Sequence, residues 1–89
     1  MARITFTDRL RHVAPAATVQ CEGATLLEVL RRLDEDYPKL LAYIVDEHGR
    51  VRKHVAVFID GTLKRGQTAL TEALGADSDV YVMQALSGG

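Results

Sequence analysis

The chain closes on Gly88-Gly89, with Ser87 between them and the largely apolar run from Val80 to Leu86. Glycine has no Cβ, so a Gly-Gly tail threads a narrow channel and adopts backbone angles that other residues avoid. It also leaves the carboxylate of Gly89 unhindered for attack on a nucleotide phosphate. A carboxylate is a poor electrophile by itself. Transfer of an adenylyl group makes it a mixed anhydride with a good leaving group, and a sulfur donor that displaces AMP leaves a terminal thiocarboxylate, anionic near neutral pH and strongly nucleophilic. For such chemistry the chain supplies an accessible tail on a recognisable body, and the activating machinery belongs to a partner. A frayed end is the plain alternative, but seven glycines among 89 residues would seldom fall together at both final positions.

Other chemical signals are weak. No Gly-rich phosphate loop precedes a helix, and no nucleophile elbow is present. His12, His48 and His54 show no metal-ligand spacing with Cys21 and read as surface residues. Cys21 shares its parity with Val19 and reads as a small core residue. Asp77 and Asp79 bracket Ser78 in what also looks like an ordinary turn. No acid-base or nucleophile constellation is visible, so an independent enzyme is not expected. Neither a bound cofactor nor a bound metal is expected.

The body that must carry the tail is small. Eighty-nine residues suffice for one domain, and 47% apolar with 26% charged residues is a globular balance. The formal net charge of -1 gives general nucleic-acid binding little electrostatic support. Two basic stretches stand out, Arg50 to His54 and Lys64-Arg65. They read as solvated strand edges and turns, or as a docking surface for an acidic partner. Cys21 is the one cysteine, so no internal disulfide is possible. Met1 to Phe6 reads as strand-like alternation rather than as a signal peptide. No apolar run approaches the length of a membrane span. These features predict a cytoplasmic protein that uses neither membrane nor nucleic acid.

Ile4 and Phe6 alternate with Arg3, Thr5 and Thr7, the pattern of a half-buried strand. Asp8 to Ala14 turn the chain, and Val19 and Cys21 mark a second strand that pairs with the first as a hairpin. Thr25 and Glu28 have capping-box spacing. Leu26, Leu30, Leu33 and Tyr37 then follow at helical spacing, widened by Leu27 and Val29. Glu28 with Arg32 and Arg31 with Glu35 are placed to pair, and Pro38 ends the helix at Tyr37. Leu40 to Val45 is ambiguous between a helical turn and a short strand. Asp46 to Gly49 is a turn. His54 to Ile59 is the strongest strand, Asp60-Gly61 a two-residue hairpin signal, and Thr62 to Lys64 the return. Leu70 to Leu74 can form one helical turn, Gly75 to Asp79 a loop, and Val80 to Leu86 the last strand.

This order predicts an α+β fold, with one helix packed on a mixed sheet of four to five strands and the first and last strands parallel. That topology is the β-grasp, or ubiquitin-like, fold. The expected division is a domain over residues 1–86 and a Ser-Gly-Gly tail over 87–89. Alternation places Val80 and Val82 toward the helix, with Leu26, Leu30, Leu33, Val57, Ile4 and Phe6. Tyr81 and Met83 then stand on the opposite face with Phe58, and Leu86 lies where strand gives way to tail. A sheet covered by one helix leaves one open face, and these side chains would make it an apolar docking patch.

The segment Val80 to Gly89, preceded by Val57-Phe58-Ile59-Asp60-Gly61, resembles the MoaD/ThiS family of ubiquitin-like sulfur carriers. The resemblance covers the whole chain in element order, and its specific motif is the tail. It implies ATP-dependent adenylation of Gly89 by an activating enzyme, a thiocarboxylate on that residue, and Gly88 and Ser87 occupying the enzyme's channel. Ser87 stands where many members of the family carry alanine. The implied partners are that enzyme, with Tyr81, Met83, Leu86 and Phe58 as the docking residues, and a sulfur-acceptor enzyme or larger synthase subunit. ATP is used by the partner. Extra length around Leu40 to Lys53 is similar to molybdopterin-type carriers and to the carrier of a protein-bound cysteine-synthesis route. A ubiquitin-like modifier joined through Gly89 to lysines would need the same tail. A plain interaction module would not need it.

Overall fold

The computed structural model describes residues 1–84. Alternation sets the first hairpin. β1 (Ala2–Phe6) buries Ala2, Ile4 and Phe6 and leaves Arg3 exposed. It pairs antiparallel with β2 (Val19–Cys21), with Ala2 opposite Cys21 and Ile4 opposite Val19. The connection does more than turn. A 3-10 turn at Asp8–Leu10 leads a segment that sinks Leu10, Val13 and Ala14 into the core. Their i, i+3, i+4 spacing is a helical face compressed into a loop.

Thr25 caps α1 (Leu26–Asp34), its Oγ1 accepting the Glu28 amide at 3.2 Å. The reciprocal half is shifted by one residue, since Glu28 Oε2 accepts the Ala24 amide at 3.1 Å rather than that of Thr25. Leu26, Val29 and Leu30 are fully buried, and Leu27 and Leu33 pack against the core at its margin. Glu28 pairs with Arg32 at 3.4 Å, whereas Arg31 and Glu35 form no ion pair in the described residues.

The helix ends at Asp34, not at Tyr37. The amides of Asp36 and Tyr37 both bond to the Leu33 carbonyl, which tightens the chain ahead of Pro38, and Tyr37 is left 36% exposed. Asp34 then accepts the Leu41 amide at 3.0 Å. That bond joins the end of α1 to the start of α2 (Leu40–Ile44), which resolves the ambiguous segment as helix and buries Leu40 and Ile44.

β3 (Val55–Ile59) buries Val55, Val57 and Ile59. Asp60 and Gly61 take φ of 51° and 84°, the two positive values that a tight twisted hairpin requires, and β4 (Thr62–Lys64) returns beside β3. α3 (Thr68–Thr71) begins earlier than the Leu70 to Leu74 turn read from sequence, because Ala69 as well as Leu70 is drawn into the core. β5 (Asp79–Gln84) starts one residue before the expected Val80, and Leu86 lies outside the described residues.

The sheet has five strands in the order β2-β1-β5-β3-β4. β1 and β5 run parallel, and every other neighbouring pair is antiparallel. This is the β-grasp architecture. α1 is its main helix, and the two short helices α2 and α3 add Leu40, Ile44, Ala69 and Leu70 to the same core.

Candidate functional site

Gly89, Gly88, Ser87 and Leu86, which carry the tail chemistry, lie outside the described residues, as does the boundary expected between residues 86 and 87. The structure shows the platform that leads to them. β5 is the middle strand, hydrogen-bonded to β1 on one side and β3 on the other. Its pattern follows the sequence: Val80 and Val82 are fully buried, and Tyr81 is 48% exposed.

Strand registers place the outward residues in a row across the open face. Thr5 is opposite Tyr81, Tyr81 opposite Phe58, and Phe58 opposite Leu63. Met83 lies one step further along β5, opposite Ala56. Phe58 and Met83 are half-buried, and Leu63 is 38% exposed. The apolar face foreseen with Phe58, Tyr81 and Met83 is therefore one surface, extended by Leu63. That residue was legible in principle. A two-residue turn at Asp60-Gly61 fixes the register that sets Leu63 against Phe58.

The N-terminal end of β5 is held by polar contacts. Asp60 Oδ1 accepts the Asp79 amide at 2.9 Å, and Asp60 Oδ2 accepts from Ser78 Oγ at 3.2 Å. Ser78 Oγ in turn accepts the Gly75 amide at 2.8 Å. Asp79 forms a forked pair with Arg3 at 2.7 and 3.1 Å, and that hydrogen bond holds its carboxyl below the usual range. The Asp77-Ser78-Asp79 sequence thus contributes to strand anchoring through Ser78 and Asp79.

At the other end, Gln84 lies opposite Val55. Its Oε1 accepts from Tyr43 Oη at 3.3 Å. The Tyr43 ring meets His12 and His54 edge-on, with centroids 5.2 and 4.9 Å apart. His12 and His54 therefore pack on an aromatic ring. His48 lies in the turn after α2, where its backbone amide donates to Asp46 Oδ1 at 2.8 Å. Cys21 is half-buried, and desolvation pushes its thiol up. Among the described residues, no group of three or more His, Cys, Asp and Glu side chains could hold a metal ion, and no helix is long and apolar enough to cross a membrane.

A five-stranded mixed sheet gripping one main helix, with its C-terminal strand in the centre, defines a ubiquitin-like protein of the β-grasp class. The sequence matches the ThiS family over residues 4–89. The chain belongs to that family, a group of small ubiquitin-like carrier proteins. No curated protein matches it significantly. Among solved structures it is similar to CysO of Mycobacterium tuberculosis, described as an antigen, with a TM-score of 0.83 and 20% identity over 97% of this chain and 100% of the other. It is similar to the Amycolatopsis orientalis BexX/CysO complex with a TM-score of 0.82 and 18% identity over the whole of both chains. It is also similar to SAMP1 from Haloferax volcanii, with a TM-score of 0.75 and 25% identity over 99% and 98%.

Proposed function

We propose that this chain is a sulfur carrier that works through the carboxylate of Gly89. A carboxylate oxygen attacks the α-phosphorus of ATP on a partner activating enzyme, and pyrophosphate leaves. A sulfide equivalent then attacks the acyl carbon of the mixed anhydride, and AMP leaves. The product is a thiocarboxylate, which passes its sulfur to an acceptor enzyme or larger synthase subunit in cysteine synthesis or in a molybdopterin-like cofactor route. The chain supplies no catalytic group of its own. Membership of the ThiS family together with the Gly88-Gly89 ending is the observation that carries this reading.

The open face supports it. Ordering a four-residue tail in an active site costs about 1 to 2 kcal/mol per residue, and two glycines offer few contacts in return. The apolar surface of Tyr81, Phe58, Met83 and Leu63 would offset that loss by docking the body on the activating enzyme. A solved structure of the same fold is that of CysO in complex with BexX, which accords with a body that docks on partner proteins.

A second reading is that of a ubiquitin-like modifier joined through Gly89 to lysine amines, favoured by the similarity to SAMP1. It shares the activation step and differs in the acceptor. Intact-mass spectrometry of the protein from its native host separates the two. The carrier shifts by the difference between one sulfur and one oxygen, and the modifier is found on other chains. Extension of the tail by one residue tests the shared step. It should abolish ATP-pyrophosphate exchange by the activating enzyme while folding survives, and full exchange would overturn both readings.

A further inference from the structure

The two basic stretches, separate in sequence, converge. Arg50, Arg52 and Lys53 precede β3, and Lys64 and Arg65 end β4 and follow it. All five line one open cleft of about 420 Å³. Five of the chain's eleven Lys and Arg residues thus share one surface in a protein of net charge -1. Like charges gathered on one surface repel, and a bound anion would relieve that repulsion.

Two of the five are engaged. Arg52 Nε donates to the Ala42 carbonyl at 2.9 Å, and Lys64 pairs with Glu72 at 3.0 Å. Arg50, Lys53 and Arg65 are exposed, and their side chains make no hydrogen bond or ion pair within the described residues. One carboxylate, Asp46, lines the cleft. It is turned onto its own turn, where Oδ1 accepts the amides of His48 and Arg50 at 2.8 and 3.0 Å. The outward field of the cleft is left positive.

Between the cations the lining is apolar: Val51, Val55, Ala56 and Leu63. A site built for a free phosphate converges backbone amides or forked guanidinium groups on one point. A site for single-stranded nucleic acid sets aromatic rings beside its cations for base stacking. Among the described residues, the lining of this cleft holds no aromatic ring, one of its three guanidinium groups is engaged by the Ala42 carbonyl, and its cations border aliphatic residues. We propose that the cleft is a docking site for an acidic segment of a partner protein, in which carboxylates meet Arg50, Lys53 and Arg65 and aliphatic side chains cover Val51, Ala56 and Leu63. Leu63 also stands opposite Phe58 on the open face. The cleft and that face therefore form a continuous surface, with apolar contact at its centre and charge at its rim, the usual arrangement of a protein interface. This inference concerns the surface alone and does not depend on the chemistry of Gly89.

The test is fluorescence anisotropy at low ionic strength with a labelled peptide of alternating glutamate and leucine. A labelled single-stranded oligodeoxynucleotide and inorganic triphosphate serve as comparators. The peptide should bind more tightly than either comparator. The triple variant Arg50→Gln, Lys53→Gln, Arg65→Gln should weaken it about tenfold or more, as three charge pairs are lost. A remote triple variant, Arg9→Gln, Arg11→Gln, Lys39→Gln, makes the same charge change and should stay within about twofold. Arg65→Glu alone reads the same effect if the first triple variant melts early. No peptide binding, equal loss in the remote variant, or tighter binding of either comparator would overturn the proposal.

Discussion

Tyr43 Oη donates to Gln84 Oε1 across 3.3 Å, joining α2 to the last described residue of the central strand. The two are 41 positions apart in sequence, and their contact fixes the point from which the chain continues toward Ala85. Tyr43→Phe keeps the ring against His12 and His54 and removes the bond. Such a bond contributes about 0.5 to 1.5 kcal/mol. Urea unfolding should shift its midpoint by a corresponding amount with an unchanged slope. An unmoved midpoint would show that the bond adds nothing.

Leu30 is fully buried in α1, against the inward side of the sheet. Leu30→Ala should cost about 2 to 5 kcal/mol, from lost transfer energy and the cavity left behind. That is a large share of the stability of a domain this small. A loss under about 0.5 kcal/mol by denaturant titration would mean that the site is not core.

Tyr81→Glu introduces a charge on the open face, at a position already 48% exposed. Its thermal melt should match that of the parent, and calorimetry should show weaker binding to the activating enzyme. Met83→Glu and Leu63→Glu should follow the same pattern. Unchanged affinity in all three would remove the face from the docking reaction. A collapsed melt for Tyr81→Glu would mean that the face is buried in the working protein.

Acid should destabilise the fold through Glu28 and Asp79. The Ala24 amide and then Arg32 hold the Glu28 carboxyl below its ordinary value, and Arg3 does the same for Asp79. The unfolded chain therefore takes up protons before the folded one does. The contribution is fully present above the ordinary carboxylate range and is lost as pH falls through the depressed folded values. Both groups are solvent-exposed, so the effect is small and salt weakens the Arg3–Asp79 part of it. Denaturant midpoints between about pH 6 and pH 3 should fall less steeply in the double variant Glu28→Gln, Asp79→Asn than in the parent. Parallel curves would assign the acid sensitivity to other carboxylates.

Where one local rule acted alone, the sequence was readable. Alternation gave the faces of β1, β3 and β5, and Asp60-Gly61 gave a hairpin whose register carried Phe58 to its partner. The capping box at Thr25 and Glu28 located the start of α1. Its end was missed because Pro38 limits only its neighbour, while the Leu33 carbonyl and the Asp34 carboxylate close the helix earlier through bonds to residues ahead. Leu10, Val13 and Ala14 are not legible as core because the seven residues from Asp8 to Ala14 give little periodicity. The basic cleft was hidden for a different reason. Arg50 and Arg65 are fifteen positions apart, and only the β3–β4 hairpin, with the turn before it, brings them together.

The placement of β5 at the centre of the sheet has a consequence during synthesis. β5 is made after the other four described strands, yet both β1 and β3 depend on it for pairing. Pairing with β1 closes a loop across almost the whole chain, Arg3 lying opposite Asp79, and contacts of such long sequence separation slow folding. A nascent chain that lacks β5 has two unjoined hairpins with exposed edges and no row of Thr5, Tyr81, Phe58 and Leu63. The surface that a partner would recognise is therefore completed only with the strand that leads toward Gly89. Under the proposed function, a chain that lacks β5 would offer the activating enzyme no complete docking row.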